Sequence, residues 1–379
     1  MMTTIQRVTT KKELKQFARF NYELYKDNPY SVPDLLSDAL KTFSKEKNPA
    51  YEFCEAEFFL AYQNGKIVGR VAAIINHKAN KTWGKNTVRF GWIDFIDDID
   101  VSRALLKAVE EWGLSKGMTD IEGPLGFTDL DAEGMLIEGF DQLSTMATIY
   151  NFPYYPEHME RLGYGKAMDW VEFKLFMPEE IPEQYTKIAS IVERRLKLHV
   201  RKIKSAKEIR ETGLGYKMFD LVNEAYKPLF GYSEMSKGQI DQYINEYLPI
   251  LDLDMVTLIE NEDNELVCVG ISMVSMSKAL QKAKGKFWPF GWWHILKGLY
   301  LKKSDIVDLL LVAIKPEYQG KGVNAMLFAN LIPIYMKKGI TCGETNPELE
   351  INDKVQSQWQ YLKSEQHKRR RCFTKHLTD

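Results

Sequence analysis

One order of elements occurs twice along the chain, and this constrains the fold more than any single motif. The alternating strand Ile5-Gln6-Arg7-Val8 runs into Thr10-Lys11-Lys12-Glu13, a capping box that satisfies orphan amides at a helix start. The strand Val200-Arg201-Lys202-Ile203 runs into Ser205-Ala206-Lys207-Glu208 in the same way. Both helices reach a Tyr-Lys pair, Tyr25-Lys26 and Tyr226-Lys227. A hairpin follows in each copy. The first turns at Gln63-Asn64-Gly65-Lys66 between strands at 58–62 and 67–74, and Asn-Gly suits a type I′ turn because both centres need positive φ. The second turns at Glu262-Asp263-Asn264 between 255–259 and 266–273. A further strand, a helix and a closing glycine complete each copy, at 88–96, 101–116 and Gly117, and at 306–314, 323–338 and Gly339. Gly69 and Gly270 stand 201 positions apart, whereas Gly117 and Gly339 stand 222 apart, so the second copy carries an insertion of 21 residues between hairpin and strand.

Two domains are expected from the length of 379 residues as well, at about 100–200 residues each. The run Met177-Pro178-Glu179-Glu180-Ile181-Pro182 resists helix and strand alike, which gives a first domain at 1–177, a linker at 178–184 and a second domain at 185–379. With 45% hydrophobic and 27% charged residues, disordered and fibrous classes are excluded. A net charge of −1 supplies no global field for nucleic acid or an anionic membrane, so electrostatic recognition has to be local. Cys54, Cys268, Cys342 and Cys372 are dispersed and the histidines have no ligand spacing, so reduced thiols and no metal are expected. The N-terminus lacks the apolar core of a signal peptide, and the aliphatic run at 309–314 is too short to span a bilayer, which predicts a cytoplasmic protein.

The most chemically specific stretch follows the strand at 306–314. Lys315-Pro316-Glu317-Tyr318 leads to Gln319-Gly320-Lys321-Gly322-Val323-Asn324, where two glycines open an apolar helix. Backbone N–H groups converge there at the positive end of the helix dipole, an arrangement that binds pyrophosphate. The stretch is neither a Walker loop nor a dinucleotide fingerprint.

Gln319-Gly320-Lys321-Gly322 resembles the signature of the GNAT acyl-CoA-dependent N-acyltransferases, with Asn324 where that family has Gly or Ala. The order of elements over about 199–375 is also the family's. The resemblance implies an α/β fold class of two tandem GNAT-like domains, each a mixed, mostly antiparallel sheet flanked by helices. It implies acetyl-CoA or another acyl-CoA as donor, held by Gln319, Gly320, Lys321, Gly322, Val323 and Asn324, with the backbone of Leu311, Val312 and Ala313 pairing with the pantetheine. Asp308 lies close to where relatives keep a carboxylate base; the alternative is a strand-end carboxylate in water. Relatives place a tyrosine seven residues after an Asn to protonate the leaving thiolate. Here Trp359 follows Asn352 at that spacing and Tyr361 comes two later, which makes Tyr361 the expected acid. Glu344 and Asn346 are expected to orient the acceptor, or else to be ordinary strand-edge polarity.

The first copy has Asp97-Asp98-Ile99-Asp100 where the second has glycines, and these carboxylates repel pyrophosphate. Its segments 123–134 and 150–156, rich in glycine, aromatic and acidic residues, suit either a pocket for a cationic amine or a packed loop. The insertion carries Lys286-Phe287-Trp288-Pro289-Phe290-Gly291-Trp292-Trp293-His294, flanked by Lys278, Lys282, Lys284, Lys297, Lys302 and Lys303. Three readings stand: a peripheral membrane anchor, the wall of a channel for a long acyl chain or lipid acceptor with Trp292 in it, and a buried aromatic plug. The run His367-Lys368-Arg369-Arg370-Arg371 reads as a solvated strand edge, with coenzyme A phosphates as the alternative.

The expected function is acyl transfer from acyl-CoA to a small-molecule or lipid amine. The rivals are a non-catalytic acyl-CoA-binding protein and a long-chain N-acyltransferase acting on a lipid amine at the membrane surface. Transfer from aminoacyl-tRNA is disfavoured, since no broad basic stripe is present to hold nucleic acid.

Overall fold

Asn64 and Gly65 take φ of 49° and 72° at the tip of the first hairpin, the left-handed pair that an Asn-Gly turn requires. The computed structural model describes residues 2–301 and 304–378, and Lys302 and Lys303 lie outside them. The strands are β1 (Thr4–Arg7), β2 (Cys54–Gln63), β3 (Lys66–Asn76), β4 (Thr87–Phe95), β5 (Asp120–Gly123), β6 (Met135–Glu138) and β7 (Gly165–Phe176). They continue with β8 (His199–Arg201), β9 (Val256–Glu260), β10 (Leu266–Val274), β11 (Ile306–Ile314), β12 (Cys342–Thr345), β13 (Glu348–Leu349) and β14 (Lys363–His376). The chain divides into two compact units. The first holds Met1–Trp170 together with Met276–Gly298 and Lys368–Asp379, and the second holds Val171–Ser275 and Leu299–His367. Most of the insertion and the end of β14 therefore belong to the first unit.

In the first unit β1, β2, β3 and β4 pair antiparallel in sequence order, and β4 pairs parallel with β5. The distal part of β14 then runs antiparallel to β5, Phe373 facing Gly123 and His376 facing Asp120. Side-chain alternation sends Val71, Ala73 and Ile75 of β3 to one face and Ala72 and Ile74 to the other. Helix Ile99–Ser115 covers the first face through Leu105 and Val109, and Phe17 of helix Lys11–Leu24 covers the second. Thr10 and Glu13 form the reciprocal capping box at the start of that helix.

The second unit repeats the pattern. β8, β9, β10 and β11 pair antiparallel in order, and β11 pairs parallel with β12. The distal half of β7 closes this sheet against β12. Helices Glu183–Leu196 and Val323–Lys337 pack together on a core that includes Met255, Ile259, Val267 and Val307.

The basic run at 367–371 is not a solvated edge. Arg370 is 0% and Lys368 1% exposed. Arg370 donates to the carbonyl of Ile149 at 2.5 Å, and the Asp169 carboxylate takes Nε of Arg371 at 2.8 Å and Nη1 of Arg369 at 3.3 Å. A buried charge persists only with partners of this kind.

Candidate functional site

In the second unit β11 pairs with β10 along its whole length, but with one bulge. Ile271 faces Leu311 and Ser272 faces Leu309, so Leu310 is the extra residue that bends the strand. On its other side β11 pairs with β12 only from Ile306 to Leu309. Asn346 closes the fork, donating its main-chain N–H to the Leu309 carbonyl at 3.3 Å and its side-chain amide to the Leu310 carbonyl at 2.7 Å. Beyond the fork β11 continues to Ile314 with no partner strand on that side among the described residues. Leu311, Val312 and Ala313 thus border an opening, and the Val312 carbonyl accepts the Tyr226 hydroxyl at 3.1 Å.

After Ile314 the chain makes a short turn at Pro316–Tyr318 and enters helix Val323–Lys337 through Gly320 and Gly322, whose φ values are 72° and 86°. Gly322 is the N-cap and provides no side-chain cap. Among the described residues no acceptor takes the N–H groups of Gly320, Gly322, Val323 or Asn324. A Cβ at Gly320 would meet nothing within 4 Å. Lys321 adds a cation at the turn, with Nζ 5.7 Å from the Tyr318 ring centroid. Unclaimed amides, open space and a lysine fit a pyrophosphate. The matching turn of the first unit is filled by its own residues. There Asp98 caps helix Ile99–Ser115, accepting the N–H of Asp100 at 2.9 Å, and Asp97 bonds His158 at 3.1 Å. That helix end has an anion built in.

At the root of the fork Asp308 stands directly beside Glu344 in the parallel register, so both side chains share one face. Asp308 is 1% exposed, which removes the reading of a carboxylate in water. Glu344 is buried on an interior strand, not on an edge, with His367 Nε2 at 3.9 Å from its carboxylate.

Tyr361 is exposed and packs edge-on against Tyr185, ring centroids 5.3 Å apart. Trp359 is buried and donates its indole N–H to Glu348 at 3.2 Å. Burial pushes the Glu348 carboxyl up to about 8, so it carries a proton near neutrality. Burial also pushes Tyr226 up to about 12. Sequence reasoning passed over both groups. Tyr226 had left a signal in the repeated Tyr-Lys pair, but nothing local marks Glu348.

The first unit has a separate cavity of about 60 Å³. Asn21, Asp34, Arg70 and Asp94 line it, as do Pro124, Ala132, Tyr150 and Tyr155 from the two segments singled out by composition. Arg70 Nε bonds Asp94 at 2.8 Å, and the Asp94 carboxylate also accepts the Tyr25 hydroxyl at 2.8 Å. Asp34 is open to water yet set deep enough that lost bulk solvation pushes its carboxyl up to about 6. Trp292 belongs to this unit as well, with its indole N–H bonded to the Pro289 carbonyl at 2.8 Å.

The bulged, forked strand, the two-glycine helix entry and the twofold repeat together define a tandem GNAT fold. A tandem GNAT protein from the clavulanic acid biosynthesis pathway, solved without acetyl-CoA, superposes with a TM-score of 0.55 at 11% identity, covering 100% of this chain and 99% of that one. In sequence the chain is similar to Protein YghO of Escherichia coli (strain K12), 26% identical over 372 residues, 97% of this chain and 94% of that protein. It is also 26% identical over 338 residues to the bacterial ceramide synthase of Caulobacter vibrioides, 87% of this chain and 84% of that protein. No family model matches the chain. Among the described residues no helix is long and apolar enough to cross a membrane.

Proposed function

We propose that this protein is an acyl-CoA-dependent N-acyltransferase and that its acceptor is a lipid amine. The observation that carries the reading is the uncapped, two-glycine helix entry at the end of a strand that parts from its parallel neighbour. Gly320, Lys321, Gly322, Val323 and Asn324 hold the pyrophosphate, Gln319 braces the turn through the Ile314 carbonyl at 3.0 Å, and the backbone of Leu311–Ala313 aligns the pantetheine arm. The amine nitrogen bonds to the thioester carbonyl carbon and the carbon–sulfur bond breaks. The ammonium proton leaves to the buried pair Asp308 and Glu344, and the coenzyme A thiolate takes a proton from Glu348 or Tyr226. Tyr361, the acid expected from the resemblance, packs edge-on against Tyr185, and in this reading Glu348 or Tyr226 supplies the proton in its place. Positioning and polarisation supply the rate enhancement. The lipid acceptor is supported by similarity to a protein named a bacterial ceramide synthase, because a ceramide is the amide of a long-chain amine.

Release of free coenzyme A from long-chain and acetyl donors, measured against a panel of amines, tests the proposal. Release that needs both substrates, prefers a long-chain amine, and falls at least about tenfold in Asp308→Asn is expected. Binding of acyl-CoA without release for any amine would leave a non-catalytic binding protein. No binding at all would leave only the fold.

A further inference from the structure

From Leu266 to Ser304 the chain contains no Asp or Glu, although the whole chain carries a net charge of −1. Within this stretch Lys278, Lys282, Lys284, Lys286 and Lys297 are all exposed. Between them the structure places an exposed aromatic platform, with Trp288 72% and Phe290 71% exposed and Phe287, Trp293 and Leu296 also outward. Side chains of this size are seldom left in water without a surface to meet. The reading of a buried plug does not hold for them.

The platform is held in a fixed shape. Two short helices, Ser277–Ala283 and Gly291–Leu296, flank it, and Gly291 crosses so close to Lys286 that a Cβ there would lie 1.6 Å from the Lys286 carbonyl oxygen. Trp292 closes the loop through its main-chain N–H to the Phe287 carbonyl at 2.8 Å and its indole to Pro289. The base is tied to the first unit. Gln281 donates to the carbonyls of Pro29 and Ser31, both at 2.9 Å, and the Leu36 N–H bonds the Gly285 carbonyl at 3.0 Å. The segment gripped in this way includes Ser31, Val32 and Asp34, which form one wall of the first unit's cavity.

We infer that residues 278–297 form a docking surface for an anionic lipid bilayer. Indole and phenyl rings enter the interfacial region while the flanking lysines meet the negative headgroups, and the stretch itself contributes no carboxylate to oppose them. Charge complementarity of this kind selects a membrane over a second copy of the chain, because an identical platform facing this one would set lysine against lysine. The inference stands apart from the acyl-transfer reading, since it rests on surface residues remote in sequence from the glycine turn.

Flotation of the purified full chain with phosphatidylcholine vesicles, and with vesicles that also contain phosphatidylglycerol, is the test. Binding to the anionic vesicles, weakened by salt, is expected. Trp288→Ala with Phe290→Ala should lower the bound fraction about tenfold or more, and Lys282→Glu with Lys286→Glu should lower it about fivefold or more per charge. Coenzyme A affinity of these variants should be unchanged, which separates failure here from failure of the transferase reading. Equal binding to both vesicle types, or none, overturns the inference. So does concentration-dependent self-association abolished by Trp288→Ala, because the platform would then be an interface between copies.

Discussion

Replacing Gly320 and Gly322 separately by alanine distinguishes the two jobs of the glycine turn. Both residues have positive φ, where an L side chain costs about 1–2 kcal/mol. At Gly320 the added Cβ meets nothing within 4 Å, so that backbone term is the whole stability cost. At Gly322 the Cβ would lie 3.0 Å from Ile188 Cγ2 and 3.1 Å from Val192 Cγ2, both on helix Glu183–Leu196. Forcing that helix aside adds about 1–3 kcal/mol of overpacking, for a total of about 2–5 kcal/mol. Ligand binding should respond to Gly320 in another way. Its Cβ adds bulk on the open side of the turn where the phosphate is proposed to sit, and losing one charge-assisted hydrogen bond there costs about 1.5–3 kcal/mol, about ten- to a hundredfold in affinity. Chemical denaturation gives the first quantity and calorimetric titration with coenzyme A the second. Gly320→Ala should be the mild variant for stability and a weak binder. Equal destabilisation by the two substitutions would refute the packing argument, and unchanged affinity in Gly320→Ala would refute the cradle.

Glu348 gives a pH signature. Its folded pKa of about 8 lies above the ordinary 4.5, so between those values the folded chain holds a proton that the unfolded chain has released. Its contribution to stability is intact below about pH 4.5 and is lost as pH rises through about 8, and melting curves of Glu348→Gln should show a shallower decline over that window. Arg70→Met strands the buried Asp94 carboxylate and should cost about 3–5 kcal/mol by denaturant titration, with part regained when Asp94→Leu is added. A loss no larger than that of a surface substitution would mean that the pair is not desolvated as described.

What the sequence made legible was local. Thr10 with Glu13, Asn64 with Gly65 and the alternation along 67–74 each need only neighbours to declare a cap, a turn and a strand, and two copies of that series implied a twofold fold. Gly320 and Gly322 were legible as the turn that opens a helix for the same reason. Arg370 was not, because the carbonyl of Ile149 that satisfies it comes from another part of the chain. Glu348 looked like one acid among 52, and only burial beneath Trp359 makes it a proton carrier. The fork at Leu309 depends on where β12 stops pairing, a tertiary fact that reached the sequence reading only through family resemblance. Asp34 went unnoticed because its neighbours on the cavity wall are brought together from five other segments of the chain.

The assignment of Lys368–Asp379 to the first unit bears on how the protein is made. A domain that leaves the ribosome early can ordinarily fold while the rest is being synthesised. Here β5 waits for Phe373 to His376, which emerge about 200 residues after Trp170, or about 10–40 s later at about 5–20 residues per second. Until then β5 presents an open strand edge and Asp169 lacks the arginines that neutralise it. Completion of the first half thus waits on residues that follow the whole second unit in the chain. A chain cut short before Lys368 would keep every residue of the second unit, while its first unit could not close its sheet.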